Sequence, residues 1–361
     1  ETETAVSIGA NYLGGLAFVP DDPHHVNGNQ WYHEAPSDID LDVRGAWDVT
    51  RGSSDVVVAV VDTGIDVDHP EFAGRLYVNP GEIPGNLKDD DGNCYVDDVS
   101  GWNAVPPASG DVDDTLVGHG TWVASILMAN TDNSHQIAGF DHHVRLLPIK
   151  ALAAPHGPES HFVAALDYLI LNPGIARIVN MSVAGYREFT SVRNALTAVA
   201  QSSILIGGAG NDGMPGGADD GYPESHPAVI TIAGTDQTDA RASFSDTGNR
   251  VDFAAPAVDI YTASWEDPDD PFAAHMGPGT SFSTPMVSGI ATLALSIWPE
   301  MTRPDLVAAL RASAVDLGEP GRDPEFGWGR VNARDALLAL PVVFLDDFET
   351  GDVTRWNSAS P

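Results

Sequence analysis

The feature that most constrains this chain is a series of short Val- and Ile-rich runs that are apolar at almost every position. Val56 to Val61, Leu146 to Ala151, Ile178 to Met181, Ile204 to Ile206 and Val229 to Ala233 are of this kind. A strand with one wet face alternates apolar and polar residues. A strand apolar on both faces must be covered on both, as in a parallel sheet between helices. Longer stretches with helical spacing lie between the runs: Gly120 to Met128, Phe162 to Leu171, Val192 to Gln201 and Phe282 to Trp298. Strand then helix, repeated, predicts an α/β fold of three layers with a mostly parallel central sheet flanked by helices. Sites in such sheets gather at the carboxyl ends of the strands. Asp62 follows the first run, and Asn211 lies just past another.

Towards the C-terminus, Thr302 with Asp305 three residues on resembles a capping box, and Pro304 suits a first helical turn. The helix so predicted runs from Pro304 to Ala314, and Asn332 can cap a last one through Leu340. After Pro341 the texture becomes acidic and aromatic without helical period, and the opening segment to about Val19 lacks a clear partner. The expected division is an N-terminal extension over 1–19, one domain over 20–340 and a tail over 341–361. No apolar run approaches the roughly 18 residues of a membrane helix. The nearest, around Ile290 to Trp298, is interrupted by Ser288, Gly289, Thr292 and Ser296, so it reads as a buried helix.

Charge sets the partners. With 52 acidic against 17 basic residues the formal net charge is -35. Such a surface repels nucleic acid and anionic membranes, both of which are bound through basic patches. It fits either a protein adapted to salt, which screens carboxylate repulsion, or plain solubility. Melting temperature followed against salt concentration separates the two. A single cysteine, Cys94, excludes an intrachain disulfide. The sequence opens at Glu1 without a methionine or a signal peptide, which reads as a processed or trimmed chain.

Three local patterns carry chemistry. GTSFSTP sets Ser281 at the head of a long apolar helix, where unpaired N–H groups and the dipole favour a developing oxyanion. Pro285 is expected within a first turn that needs no donor from it. The plainer reading of Ser281 is a helix cap. GHGTWVAS holds His119 between glycines at the start of another helix, and VVVAVVDTGID leaves Asp62 at the end of an apolar strand. An aspartate there needs a hydrogen-bond donor, and a histidine ring N–H is a suitable one.

Taken together, DTG, then GHGT, then GTSxxTP resemble the subtilisin-type serine proteases, the subtilases, from about Pro20 to Leu340. The resemblance implies a subtilisin-like fold and a secreted serine endopeptidase acting on proteins or peptides. Ser281 would be the nucleophile, His119 the base, Asp62 its orienting partner, and Asn211 in GGAGND the side-chain oxyanion donor. It also implies that Ser182, Val183, Ala184 and Gly185 in NMSVAG pair with an extended substrate. Gly157 would form the opposite edge, unless its stretch is a plain surface loop. Ala209 and Gly221 would floor the specificity pocket; their small size favours large apolar side chains, while nearby Asp219 and Asp220 could favour basic ones. The order Asp, His, Ser and the missing last glycine argue against an α/β-hydrolase esterase. A catalytically silent binding protein on the same fold is the alternative. A monomer is expected, meeting its own propeptide if 1–19 is the end of one.

Departures from the family fall at Trp122, Ser125, Ala184, Phe282 and Ser283, none of them a catalytic group. KDDDGNCYVDD is the metal candidate. Asp89, Asp91 and Asn93 alternate as in calcium loops, with Asp97 or Asp98 further on; a solvated turn is the other reading. The resemblance adds a second calcium position at Glu71 and Asn133.

Overall fold

The computed structural model describes residues 18–341, apart from 115, 116 and 155. The expectations for the N-terminal extension, except Phe18 and Val19, and for the tail beyond Pro341 lie outside the described residues. Seven strands form one parallel sheet: β1 (Val57–Asp62), β2 (Trp102–Asn103), β3 (Arg145–Lys150), β4 (Ile178–Met181), β5 (Ile204–Gly208), β6 (Val229–Thr235) and β7 (Val251–Pro256). Their order is β2-β3-β1-β4-β5-β6-β7. A short antiparallel pair, β8 (Ile260–Thr262) and β9 (His275–Gly277), stands apart. The helices are α1 (Pro23–Val26), α2 (Val43–Trp47), α3 (His119–Met128), α4 (Glu159–Leu171), α5 (Thr190–Val199), α6 (Thr280–Ile297), α7 (Arg303–Ser313) and α8 (Ala333–Leu338).

The two-sided strands explain the layers. Val58 and Val60 of β1 face one core with α3, α6 and α7, while Ala59 and Val61 face the other with α4 and α5. Each of these β1 side chains is at most 1% exposed. The α/β expectation is thus met, with β2, β7 and the β8–β9 pair as strands the sequence reading did not include. Phe18, assigned to the extension, packs edge-on to Trp47 with ring centroids 6.0 Å apart.

Helix α6 has the length and composition to cross a bilayer, against the expectation that no run approached them. Its polar residues close on the protein instead. Ser288 Oγ donates to Asn180 Oδ1 at 2.9 Å, Thr292 Oγ1 to Gly289 O at 2.9 Å and Ser296 Oγ to Leu293 O at 2.7 Å. Asp305 Oδ2 accepts from Thr302 N at 2.9 Å at the start of α7, as the capping pattern predicts. Asn332 Oδ1 accepts from Asp335 N at 2.8 Å, though α8 stops at Leu338 rather than Leu340.

Candidate active site

The sheet order decides what can meet. Strands β1, β4 and β5 are neighbours, so Asp62, Ser182 and Asn211 come side by side at or just past their carboxyl ends. Helix α3 starts tight against the end of β1, because Gly64 and Gly120 lack side chains. A Cβ on Gly120 would lie 1.9 Å from the Gly64 carbonyl oxygen, closer than atoms can approach. Gly120 N donates to Thr63 Oγ1 at 2.9 Å, and the Thr63 hydroxyl donates to Asp114. That lock sets His119 over Asp62: its Nδ1 and Asp62 Oδ1 are 2.7 Å apart. Thr63 N donates to the same oxygen at 2.8 Å. The Asp62 side chain is fully buried and that of His119 is 24% exposed. With the proton on Nδ1, Nε2 keeps a lone pair for a base.

Ser281 lies in the first turn of α6. Pro285 falls in the second turn, not the first as expected, so its missing N–H leaves the Ser281 carbonyl without a helical donor. Ser182 Oγ supplies the bond instead, at 2.8 Å, and so ties the end of β4 to the head of α6. The Ser281 hydroxyl donates to Ser182 O at 3.2 Å. Asn211 Oδ1 accepts from Thr280 N at 2.9 Å and from Thr280 Oγ1 at 3.0 Å. Both bonds take the oxygen end of the amide, so its donor end is not used by Thr280. A small cavity of about 30 Å³ brings Asn211 and Ser281 together with Ser182, Val183 and Ala184. A larger one, of about 470 Å³ beside Trp31 and Tyr261, touches none of these residues.

Burial pulls the His119 pKa down, but the charge and hydrogen bond of Asp62, with Asp114 behind, outweigh it and raise it above the usual histidine value. Phe282 stacks beside His119 with ring centroids 6.4 Å apart. Trp122 lies flat on His275 at 3.7 Å, and Ser125 Oγ accepts from Ala263 N at 3.0 Å. Ser283 Oγ donates to Ala255 O at 3.0 Å and to Pro256 O at 2.9 Å. Trp122, Ser125, Phe282 and Ser283, four of the five departures from the resembled pattern, therefore have local partners here.

The remaining expected residues divide. Gly221 is buried beside Gly185 and Ala209 is buried in a small cluster with Ala218 and Ala233, whereas Gly157 packs on Leu152 ahead of α4. Asp219 accepts from Asn249 N at 2.9 Å and Arg250 N at 2.8 Å, so its carboxylate is taken up by a neighbouring loop. In the acidic loop, Asp89 accepts from Gly92 N, Asn93 N and Cys94 N, and Asp97 from Asn86 N and Leu87 N. Asn93 Nδ2 reaches Asp91 and Asp98. Among the described residues, the carboxylates whose oxygens converge, within 4.8 Å, are Glu82, Asp91 and Asp98. Glu82 precedes the motif and no spacing pointed to it. At the second position, Asn133 Nδ2 lies 3.1 Å from Glu71 Oε2, and Asp22 Oδ2 accepts from Asp132 N at 2.8 Å. Burial pushes the Asp22 carboxyl up to about 7 and raises that of Glu71 well above its usual range.

Comparison with known proteins shows the family. Residues 53–329 match the subtilase family of peptidases. A halolysin-like extracellular serine protease of Natrialba magadii is 31% identical over 325 residues, 90% of this chain and 53% of that protein. A thermophilic serine proteinase of Bacillus sp. (strain AK1) is 31% identical over 329 residues, 91% of this chain and 71% of that protein. The chain thus spans about half the length of the first relative and somewhat more of the second. A solved protease structure from Pseudoalteromonas arctica superposes with a TM-score of 0.70 at 23% identity, over 90% of this chain and all of that one, and speaks to the fold. On the match over residues 53–329 and these relatives, the chain belongs to the subtilase family.

Proposed function

We propose that the chain is a secreted serine endopeptidase that cleaves peptide bonds of proteins through an acyl-enzyme. The observation that carries this reading is the 2.7 Å His119–Asp62 pair, with His119 stacked beside Phe282, the residue after Ser281, and Ser281 and Asn211 sharing one cavity. An extended peptide would lie along Ser182–Gly185. Ser281 Oγ attacks the scissile carbonyl carbon while His119 Nε2 takes its proton. The carbonyl oxygen becomes an oxyanion, met by Asn211 Nδ2 and the Ser281 backbone N–H. On collapse the C–N bond breaks, His119 returns the proton to the leaving amine, and the acyl group stays on Ser281. Water, deprotonated by His119, then attacks the ester and releases the acid. Asp62 holds the tautomer and stabilises the imidazolium throughout. The extracellular setting is carried over from the names of relatives.

One observation favours an inert binding protein instead: the Ser281 hydroxyl bonds to Ser182 O. Casein hydrolysis, with calcium present and any inhibitory segment removed, decides between them. The base must be neutral to act, so activity rises with pH through the His119 pKa. Because that value is raised, the acid limb of kcat/KM should have its midpoint above 6.5. A midpoint below 6 would contradict the Asp62 pairing.

Calcium is proposed as a structural ion. Oxygen-only donors suit it, and two groups fit: Glu82 with Asp91 and Asp98, and Glu71 with Asp22 beside Asn133. Burial, with the neighbouring carboxylates adding to it, disfavours the ionised Glu71 and Asp22, and a bound cation would offset this. Ligand at a hundredfold over Kd stabilises by about 2.7 kcal/mol. For a domain of this size that is a shift of about 5 °C in Tm. A chelator should lower Tm by that order and calcium restore it; an unchanged melting curve removes the proposal.

A further inference from the structure

The peptidase reading leaves one buried carboxyl unused. Glu224 is 3% exposed and sits behind the segment proposed to bind substrate. Its Oε1 accepts from Gly185 N at 2.9 Å. Gly221 closes on the same oxygen: a Cβ there would lie 2.3 Å from Glu224 Oε1 and 3.2 Å from the Gly185 Cα. Tyr186 and Tyr222 pair through both backbone amides, at 3.0 and 2.7 Å, which clamps this loop to the end of the Ser182–Gly185 segment. Glu224 is therefore held where the expected pocket floor meets the substrate segment.

The second oxygen has no partner. Glu224 Oε2 is buried and, among the described residues, nothing donates to it or accepts from it. An ionised Oε2 needs a donor and a protonated one needs an acceptor, so the chain satisfies neither form. Asp246, whose charge reaches Glu224, is itself held by Asp212 N at 3.1 Å and Met214 N at 2.7 Å. No lysine or arginine forms an ion pair with Glu224 or Asp246 among the described residues. One carboxylate oxygen without a donor thus stands where a floor of small residues meets the substrate segment. A missing cationic donor is what a lysine or arginine side chain of a substrate would bring.

We infer that Glu224 is a specificity-determining residue: it accepts the ammonium or guanidinium of a basic side chain at the residue preceding the cleaved bond. The inference rests on the peptidase reading and deepens it. It also replaces Asp219 as the source of any basic preference, since that carboxylate is occupied elsewhere. Burial, with the Asp246 charge adding to it, pushes the Glu224 carboxyl up to about 7. The preference for basic residues should accordingly weaken as pH falls below 7.

The test uses the whole chain with calcium and a peptide series differing only at the residue before the scissile bond, namely Lys, Arg, Phe, Leu and Glu. Wild type should cleave after Lys and Arg with kcat/KM higher than after Phe or Leu, by tenfold to a hundredfold on the usual strength of a charge-assisted contact. Glu224→Gln should lose that factor for Lys and Arg and keep Phe and Leu within about threefold. If Glu224→Gln does not fold, the wild-type series at pH 6 and pH 8 still decides, since the Lys to Phe ratio should rise with pH. A wild type preferring Phe or Leu at both pH values, or a Lys preference untouched by Glu224→Gln, overturns the inference and leaves the peptidase reading standing. No turnover of any peptide overturns both.

Discussion

An Asp62→Asn variant is expected to keep its fold and to lose about four orders of magnitude in kcat. The amide has the shape of the carboxylate, so the strand end and its bond to Thr63 N can persist. Two orientations are open to it. If the amide oxygen stays toward His119 Nδ1, both hydrogen bonds survive and the negative charge that stabilises the imidazolium is gone. If the amide turns, its N–H faces Nδ1, the ring proton moves to Nε2, and the base is in the wrong tautomer. Either way proton transfer from Ser281 fails. The pH profile gives a second readout. Asp62 is the main influence raising the His119 pKa, so its neutralisation should move the acid limb of the residual activity to lower pH. Residual kcat within tenfold of wild type, or an unmoved acid limb, would count against His119 as the base.

Asn211→Ala is expected to reduce kcat by roughly 10²–10³ with KM little changed, an order measured in a subtilisin and carried over here. The physical reason is preorganisation. Thr280 holds Asn211 Oδ1 with two bonds of 2.9 and 3.0 Å, so Nδ2 is set before substrate arrives. A donor aimed at charge that develops only in the transition state acts on kcat rather than on ground-state binding. Steady-state kinetics on one peptide separates the two parameters. A loss confined to KM would assign Asn211 to substrate binding instead.

Much of this was legible in the sequence because it is local. The runs forming β1, β3, β4 and β6 are largely apolar on both faces, and burial on both faces is what they meet. Strand β7 escaped because VDFAAP ends in residues of low β propensity and sits at the sheet edge. Strands β2, β8 and β9 are two or three residues long, too short for a period to register. Within the site, Asp62, His119, Ser281 and Asn211 each stand in a short motif whose glycines mark close approach. What no motif marks is a partner distant in sequence. Glu82 joins Asp91 and Asp98 across a loop, Ser182 satisfies the carbonyl that Pro285 leaves open, and Glu224 reaches Gly185 from 39 residues away. These contacts follow from the fold, not from spacing along the chain.

The central claim is that Ser281 is a nucleophile activated by His119 and Asp62. Labelling with a fluorophosphonate probe, mapped by peptide mass spectrometry, tests it most directly. The account predicts a single adduct on Ser281, absent from Ser281→Ala and strongly slowed in Asp62→Asn. Wild-type protein left unlabelled and casein left uncut, with calcium present and any inhibitory segment removed, would contradict it.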